Sequence, residues 1–170
     1  QTFELEKTTA NQAIIIYAKI MLELMDLEQG MTYLVLASTR TPRFPTLHVQ
    51  VGDIFAKRGK WKQAETAYSK AIQLHPELAL AHQGLSTVYV RQGKNQEAAT
   101  AALDAVGLLH RLPQSHINLG IALARSDDLQ RSIQAFQTAA RFAPKQARPH
   151  RWLATVHDRL GDSAAADKHR

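Results

Sequence analysis

Residues 45–78 read PTLHVQVGDIFAKRGKWKQAETAYSKAIQLHPEL, and residues 79–112 read ALAHQGLSTVYVRQGKNQEAATAALDAVGLLHRL. Laid one above the other, these 34-residue lines agree in chemistry: Gly52 stands over Ser86, Phe55 over Tyr89, Gly59 over Gly93, Ala64 over Ala98 and Ala71 over Ala105. The same register runs outward without insertion or deletion. It gives a degenerate unit at 11–44, full units at 45–78, 79–112 and 113–146, and a partial one at 147–170, with residues 1–10 as the end of a preceding helix or unit. A fixed period of this length marks a repeat architecture.

The columns have mechanical meanings. Small residues recur as Ala18, Gly52, Ser86, Gly120 and Ala154, as Gly30, Ala64, Ala98, Ser132 and Ala166, and as Ala37, Ala71, Ala105 and Ala139. Large apolar residues recur as Tyr17, Val51, Leu85, Leu119 and Leu153, and as Met21, Phe55, Tyr89 and Leu123. Their spacings of three and four are the helical period, on both sides of a turn residue at Gly59, Gly93, Asp127 and Gly161, so each unit predicts two antiparallel helices. Small side chains let the two approach closely. Glycine suits the left-handed residue that ends the first helix, and proline at Pro42, Pro76 and Pro144 cannot continue the second. His110 stands where the proline is expected and predicts a smoother junction there. The expected fold is all-α, an α-solenoid of stacked helix hairpins with about four and a half units in one continuous domain.

These columns resemble the tetratricopeptide repeat (TPR) family, and the resemblance covers most of the chain. The family's usual Trp at the fourth position of a unit is replaced by His48, His82, His116 and His150. More narrowly, Ala105-Val-Gly-Leu-Leu-His110, the segment Pro113 to Arg125 and the ending Asp167-Lys-His-Arg170 resemble TPR regions attached to bacterial phosphodiesterases of the alkaline phosphatase superfamily. The first resemblance implies a protein-interaction scaffold. The second implies an accessory region of a larger enzyme whose catalytic domain precedes Gln1.

Of the 170 residues 45% are hydrophobic and 21% charged, a balance that fits a soluble globular chain and excludes a disordered one. The absence of cysteine excludes disulfides, thiolate zinc sites and cysteine nucleophiles. It leaves the compartment open, with the cytoplasm favoured. Gly-x-Ser-x-Gly, His-Glu-x-x-His and a phosphate-binding glycine loop are all missing, so no catalytic, cofactor or metal residues are expected. The four column histidines sit one repeat apart, too far to share a metal whose ligands lie within about 2.1 Å of it, and they read as packing residues. The stretch Ala13 to Met25 is interrupted by Lys19 and Glu23 and is too short to span a bilayer. Apolar around most of its circumference, it is expected to pack on a preceding domain or a second chain.

A solenoid of this family offers a groove lined by the first helix of each unit. The second, fifth, sixth, ninth, twelfth and thirteenth positions form that stripe. It places Gln83, Thr87 and Arg91, then Asn118, Ile121 and Arg125, then Arg148, Arg151, Trp152, Thr155 and Arg159 in the expected partner site. Lys57, Arg91, Arg125 and Arg159 put a cation at the thirteenth position of four consecutive units. Such a cation serves either its own helix dipole or a bound partner. The net charge is +6, and bases outnumber acids only beyond residue 44. An acidic peptide or protein segment is therefore the expected partner. Nucleic acid is disfavoured, because aromatic residues are scarce along the stripe. The chaperone-tail clamp known in some TPR proteins is matched only by Asn118 and Arg148, with Val49 and Asp53 departing from it.

Overall fold

The computed structural model describes residues 44–170, together with Thr32, Val35 and Leu36. The stretch 13–25, expected to pack on another domain or chain, lies outside the described residues. From residue 44 onward every regular element is a helix: α1 (Pro45–Lys57), α2 (Trp61–Leu74), α3 (Ala79–Gln92), α4 (Asn95–Leu108), α5 (Pro113–Arg125), α6 (Leu129–Phe142), α7 (Ala147–Arg159) and α8 (Ser163–Asp167). Among the described residues no helix is long and apolar enough to cross a membrane. The chain groups into two compact units, one ending at Pro76 and one running Glu77–Arg170.

All four hairpins close in the same way. Gly59, Gly93 and Gly161 have φ of 71°, 76° and 77°, and Asp127 at 64° is the one non-glycine residue with positive φ among the described residues. Aspartate is one of the few side chains that tolerate this left-handed region. The next residue's N–H then reaches back to the large-residue column: Lys60 to the Phe55 carbonyl, Lys94 to Tyr89, Asp128 to Leu123 and Asp162 to His157, at 2.9–3.0 Å. This wide-reaching bond satisfies a carbonyl that the ending helix would leave unpaired.

The junctions between hairpins are also alike, which corrects the expectation at His110. Helices α2, α4 and α6 all break at a residue of strongly negative φ, His75 (φ −147°), Leu109 (φ −142°) and Ala143 (φ −138°). The His110 junction is therefore no smoother than those with proline. Pro113 supplies the missing punctuation, since the residue before a proline is pushed out of the helical region and Leu112 sits at φ −114°, ψ 87°.

In the unit ending at Pro76, α1 buries Leu47, His48, Val49, Val51 and Gly52 against Ala64, Ala67, Tyr68 and Ala71 of α2. The Tyr68 ring lies flush on Gly52, whose absent Cβ would stand 2.7 Å from Tyr68 Cε1. Tyr68 donates its hydroxyl to Asp53 Oδ1 at 2.6 Å. Burial first, and then the Asp53 carboxylate, hold the phenol pKa far above its ordinary value.

In Glu77–Arg170, α3 pairs with α4, α5 with α6 and α7 with α8. Neighbouring hairpins join through α3 on α5, α4 on α5, α6 on α7 and α5 on α7. Its core gathers Ile117, Ile121, Ile133, Phe136, Leu153 and Val156, with Trp152 packed against it. The small columns lie where helices touch: Ala98, Ala105, Ser132, Ala139 and Ala166 are fully buried. Of the column histidines, His48 and His116 are buried. His116 Nε2 lies 2.9 Å from the His110 carbonyl, and burial lowers its pKa.

Candidate interaction groove

Because α3 contacts α5 and α5 contacts α7, the first helices of the second unit lie side by side. Their stripe positions fall into three kinds, and the helical angle alone does not separate them.

Asn118 and Ile121 are core residues, contrary to the expectation that they line the groove. Ile121 is buried among the apolar side chains of the core. Asn118 is fully buried, with Nδ2 donating to Ser86 Oγ and to Thr87 Oγ1 at 2.8 Å each. Its Oδ1 accepts from Gln114 Nε2 at 2.8 Å. Both amide hydrogens are thus committed, and Asn118 has none for a ligand.

Arg125 and Arg159 hold repeats together. Arg125 Nη1 donates to the Val90 carbonyl at 2.7 Å, and Arg159 Nη1 donates to the Ala124 carbonyl at 2.6 Å. Val90 and Ala124 occupy the twelfth position of the preceding unit, in the last turns of α3 and α5, where carbonyls lack intrahelical partners. Arg159 also pairs with Asp127 Oδ1 at 2.8 Å. These cations cap the neighbouring helix, so neither their own helix dipole nor a partner is needed to explain them. Arg159→Met is expected to cost about 1 kcal/mol, the worth of a charge-assisted bond discounted for solvent screening. Arg151→Met is expected to cost nothing measurable. Chemical denaturation of the two variants checks this, and equal effects would contradict the cross-repeat cap.

The third kind remains at the surface. Arg148, at the start of α7, is half-buried, and its pKa is lowered by burial first and then by the charges of Arg91 and Arg151. Three guanidinium groups from α3 and α7 therefore share one region. Among the described residues neither Arg148 nor Arg151 pairs with a carboxylate. Arg148 instead reaches Gln114 Oε1 at 3.4 Å, linking it to the Asn118 network. Sequence reasoning left Gln114 out of the site, although it occupies the same second position as Arg148. Around this cluster, Gln83 and Thr87 are half-buried and Thr155 is exposed, its hydroxyl bonded to the Arg151 carbonyl at 2.9 Å. Trp152 stacks on Phe136 with ring centroids 5.7 Å apart and planes 8° from parallel, and is half-buried.

A separate cleft lies between the α3–α4 and α5–α6 turns, lined by Lys94, Glu97, Ser126, Asp128 and Arg131 among others. Its charges are mixed, and Arg131 is already paired with Asp128 at 2.6 Å. Among the described residues no group of three or more histidines or carboxylates is arranged to hold a metal ion.

Comparison with known proteins agrees with this architecture. The TPR repeat family matches residues 52–93. No curated protein sequence matches the chain. Among solved structures, a MamA fragment from Desulfovibrio magneticus RS-1 superposes with a TM-score of 0.85 at 21% identity, covering 94% of this chain and 90% of that one. PilF of Pseudomonas aeruginosa gives 0.81 at 19%, covering 96% and 75%. YrrB, described as a TPR protein with an unusual peptide-binding site, gives 0.76 at 18%, covering 96% and 88%. The tetratricopeptide repeat model matches residues 52–93 alone, and α5–α8 form hairpins of the same kind beyond it.

Proposed function

We propose that this chain is a scaffold that binds an acidic peptide or protein segment on the first-helix face of Glu77–Arg170, with Arg148 and Arg151 as its anchors. The observation that carries the reading is the half-buried Arg148 guanidinium, which feels like charges nearby and, as with Arg151, pairs with no carboxylate among the described residues. Like charges held together are unfavourable until an anion arrives, and a carboxylate can pair with a guanidinium fork at two points. Gln83, Thr87 and Thr155 offer hydrogen bonds along the segment, and the half-buried Trp152 offers apolar contact. Arg125 and Arg159 stay with their carbonyls and contribute only field. YrrB, of the same fold, is described as binding peptide, which supports the class of partner.

Calorimetric titration with a Glu/Asp-rich peptide and its Gln/Asn counterpart tests this. Arg148→Gln with Arg151→Gln is expected to weaken acidic-peptide binding at least tenfold, equivalent to about 1.4 kcal/mol. The control, Arg111→Gln with Arg141→Gln, removes the same charge from the two guanidiniums that lie over the Phe142 ring. It should change the affinity less than twofold. Raising salt should weaken wild-type binding, since these groups are partly solvated. Equal losses in both double variants would mean that net charge, not a groove, attracts the peptide.

A further inference from the structure

The last hairpin departs from the others at three positions of the repeat. Where Ala67, Ala101 and Ala135 fill one buried column, the last unit has His169. His157 takes the place of Phe55, Tyr89 and Leu123, and Arg170 stands where Tyr68 and Phe136 lie on their glycines. Helix α8, with the sequence SAAAD, buries Ala166.

Three imidazoles meet in this hairpin. His150 and His157 lie seven residues apart, on one side of α7, and His169 packs against both, with ring centroids at 5.6 Å and 6.0 Å. His169 Nδ1 is 3.3 Å from His150 Nδ1. Two ring nitrogens can share a hydrogen bond only while one of them is bare. Once both carry a proton, two donors and two positive charges oppose each other. His157 Nδ1 is buried without a hydrogen bond, 3.7 Å from Asp162 Oδ2.

We propose that the α7–α8 hairpin is a proton-operated latch, closed while His150 and His169 share a single Nδ1 proton and open once both rings are protonated. The other charges facing the pair come from both helices. His157 lies on α7, and Asp162, Asp167, Lys168 and Arg170 lie on or beside α8. Arg170 spans both elements, pairing with Asp158 of α7 at 2.7 Å and with Asp167. Among the described residues no ionisable side chain of α5 or α6 bonds to the trio. The Arg170–Asp158 pair contains no imidazole and is not itself part of the proton switch. The direction of the His169 shift agrees with the geometry. Its pKa is lowered, by burial first and then by His150, His157 and Lys168. A depressed imidazole pKa favours closure fully above the free value near 6.5, and that contribution is lost as pH falls below it. Opening would strip α7, which carries Arg148 and Arg151, of its hairpin partner.

Nuclear magnetic resonance of the full chain between pH 7.5 and 5.0 tests the latch through the helical Cα shifts of Ala164 to Asp167. The wild type is expected to lose at least half of these shifts, with those of α6 unchanged. His169→Ala, which restores the alanine of the other units, and His150→Phe, which keeps a ring without Nδ1, are expected to hold them constant. A pH-independent wild type would overturn the proposal. So would the wild-type loss recurring in either variant, or an α8 already unwound in both variants at pH 7.5, which would assign the rings to packing alone.

Discussion

Gly120→Ala is expected to lower the stability of this protein by about 1–3 kcal/mol, the usual cost of forcing an extra methyl group into a packed core. In an ordinary helix the same change is favourable by about 0.5–1 kcal/mol, because glycine loses more backbone entropy on folding. The sign reverses because a Cβ at Gly120 would stand 2.6 Å from Phe136 Cε1 and 2.8 Å from two more ring atoms. The ring has nowhere to go. Phe136 is fully buried, and its other neighbours include Trp152, stacked on it. Gly107, in α4, supplies the internal comparison, since nothing lies within 4 Å of its would-be Cβ. Gly107→Ala is therefore expected to stabilise slightly, and a chain of this length shifts its thermal midpoint by roughly 2–4 °C per kcal/mol. The decisive measurement is the double variant Gly120→Ala with Phe136→Leu. If the clash is the cause, the added methyl costs less when the ring has been replaced by leucine than it does in the wild type. Additive effects would place the cost somewhere other than this contact.

That contact could be anticipated from the sequence because it repeats. Gly52 with Tyr68 and Gly120 with Phe136 occupy the same two positions of the 34-residue unit, and the same local chemistry produces the same packing in both. The four turn residues were legible for the same reason, including Asp127, which carries the left-handed conformation where the other units have glycine. His110 was misread because one residue was weighed without its context. Pro113, three positions on, ends the junction that the missing proline would have punctuated.

The site was less legible than the fold, and the reason is geometric. A helical stripe fixes the angle at which a side chain leaves its helix, but not how closely the next helix approaches there. Asn118 and Ile121 leave α5 toward the groove side and are covered by their neighbours. Arg125 and Arg159 have the reach to find carbonyls 35 residues earlier in the chain. No charge count distinguishes such an arginine from one that awaits a ligand. Arg148 and Arg151 differ by standing near the start of their helix rather than in its last turn, a positional signal present in the sequence. The histidine trio carried a signal too. His169 and His157 each break a column of small or large apolar residues, although only the hairpin brings them against His150.

Asn118→Leu provides the sharpest test of which stripe residues are structural, because the two roles predict opposite readouts. Leucine keeps the branched, four-heavy-atom outline of asparagine, with bulkier methyl groups at its tips, and removes all three side-chain hydrogen bonds. Ser86 Oγ and Thr87 Oγ1 keep their own donations to the Gln83 carbonyl, at 2.8 and 3.1 Å, but lose the amide that donates to them. Gln114 Nε2 loses its acceptor. Leaving buried partners unpaired costs about 1–3 kcal/mol, whereas a solvent-facing groove residue could be replaced almost without cost. Stability should therefore fall clearly in denaturant unfolding. Acidic-peptide affinity, measured well below the midpoint, should stay within about threefold of wild type, since Arg148 loses only the indirect support that Gln114 passes to it. A stable variant with strongly weakened binding would return Asn118 to the groove and remove the buried network from the account of how α3 and α5 are held in register.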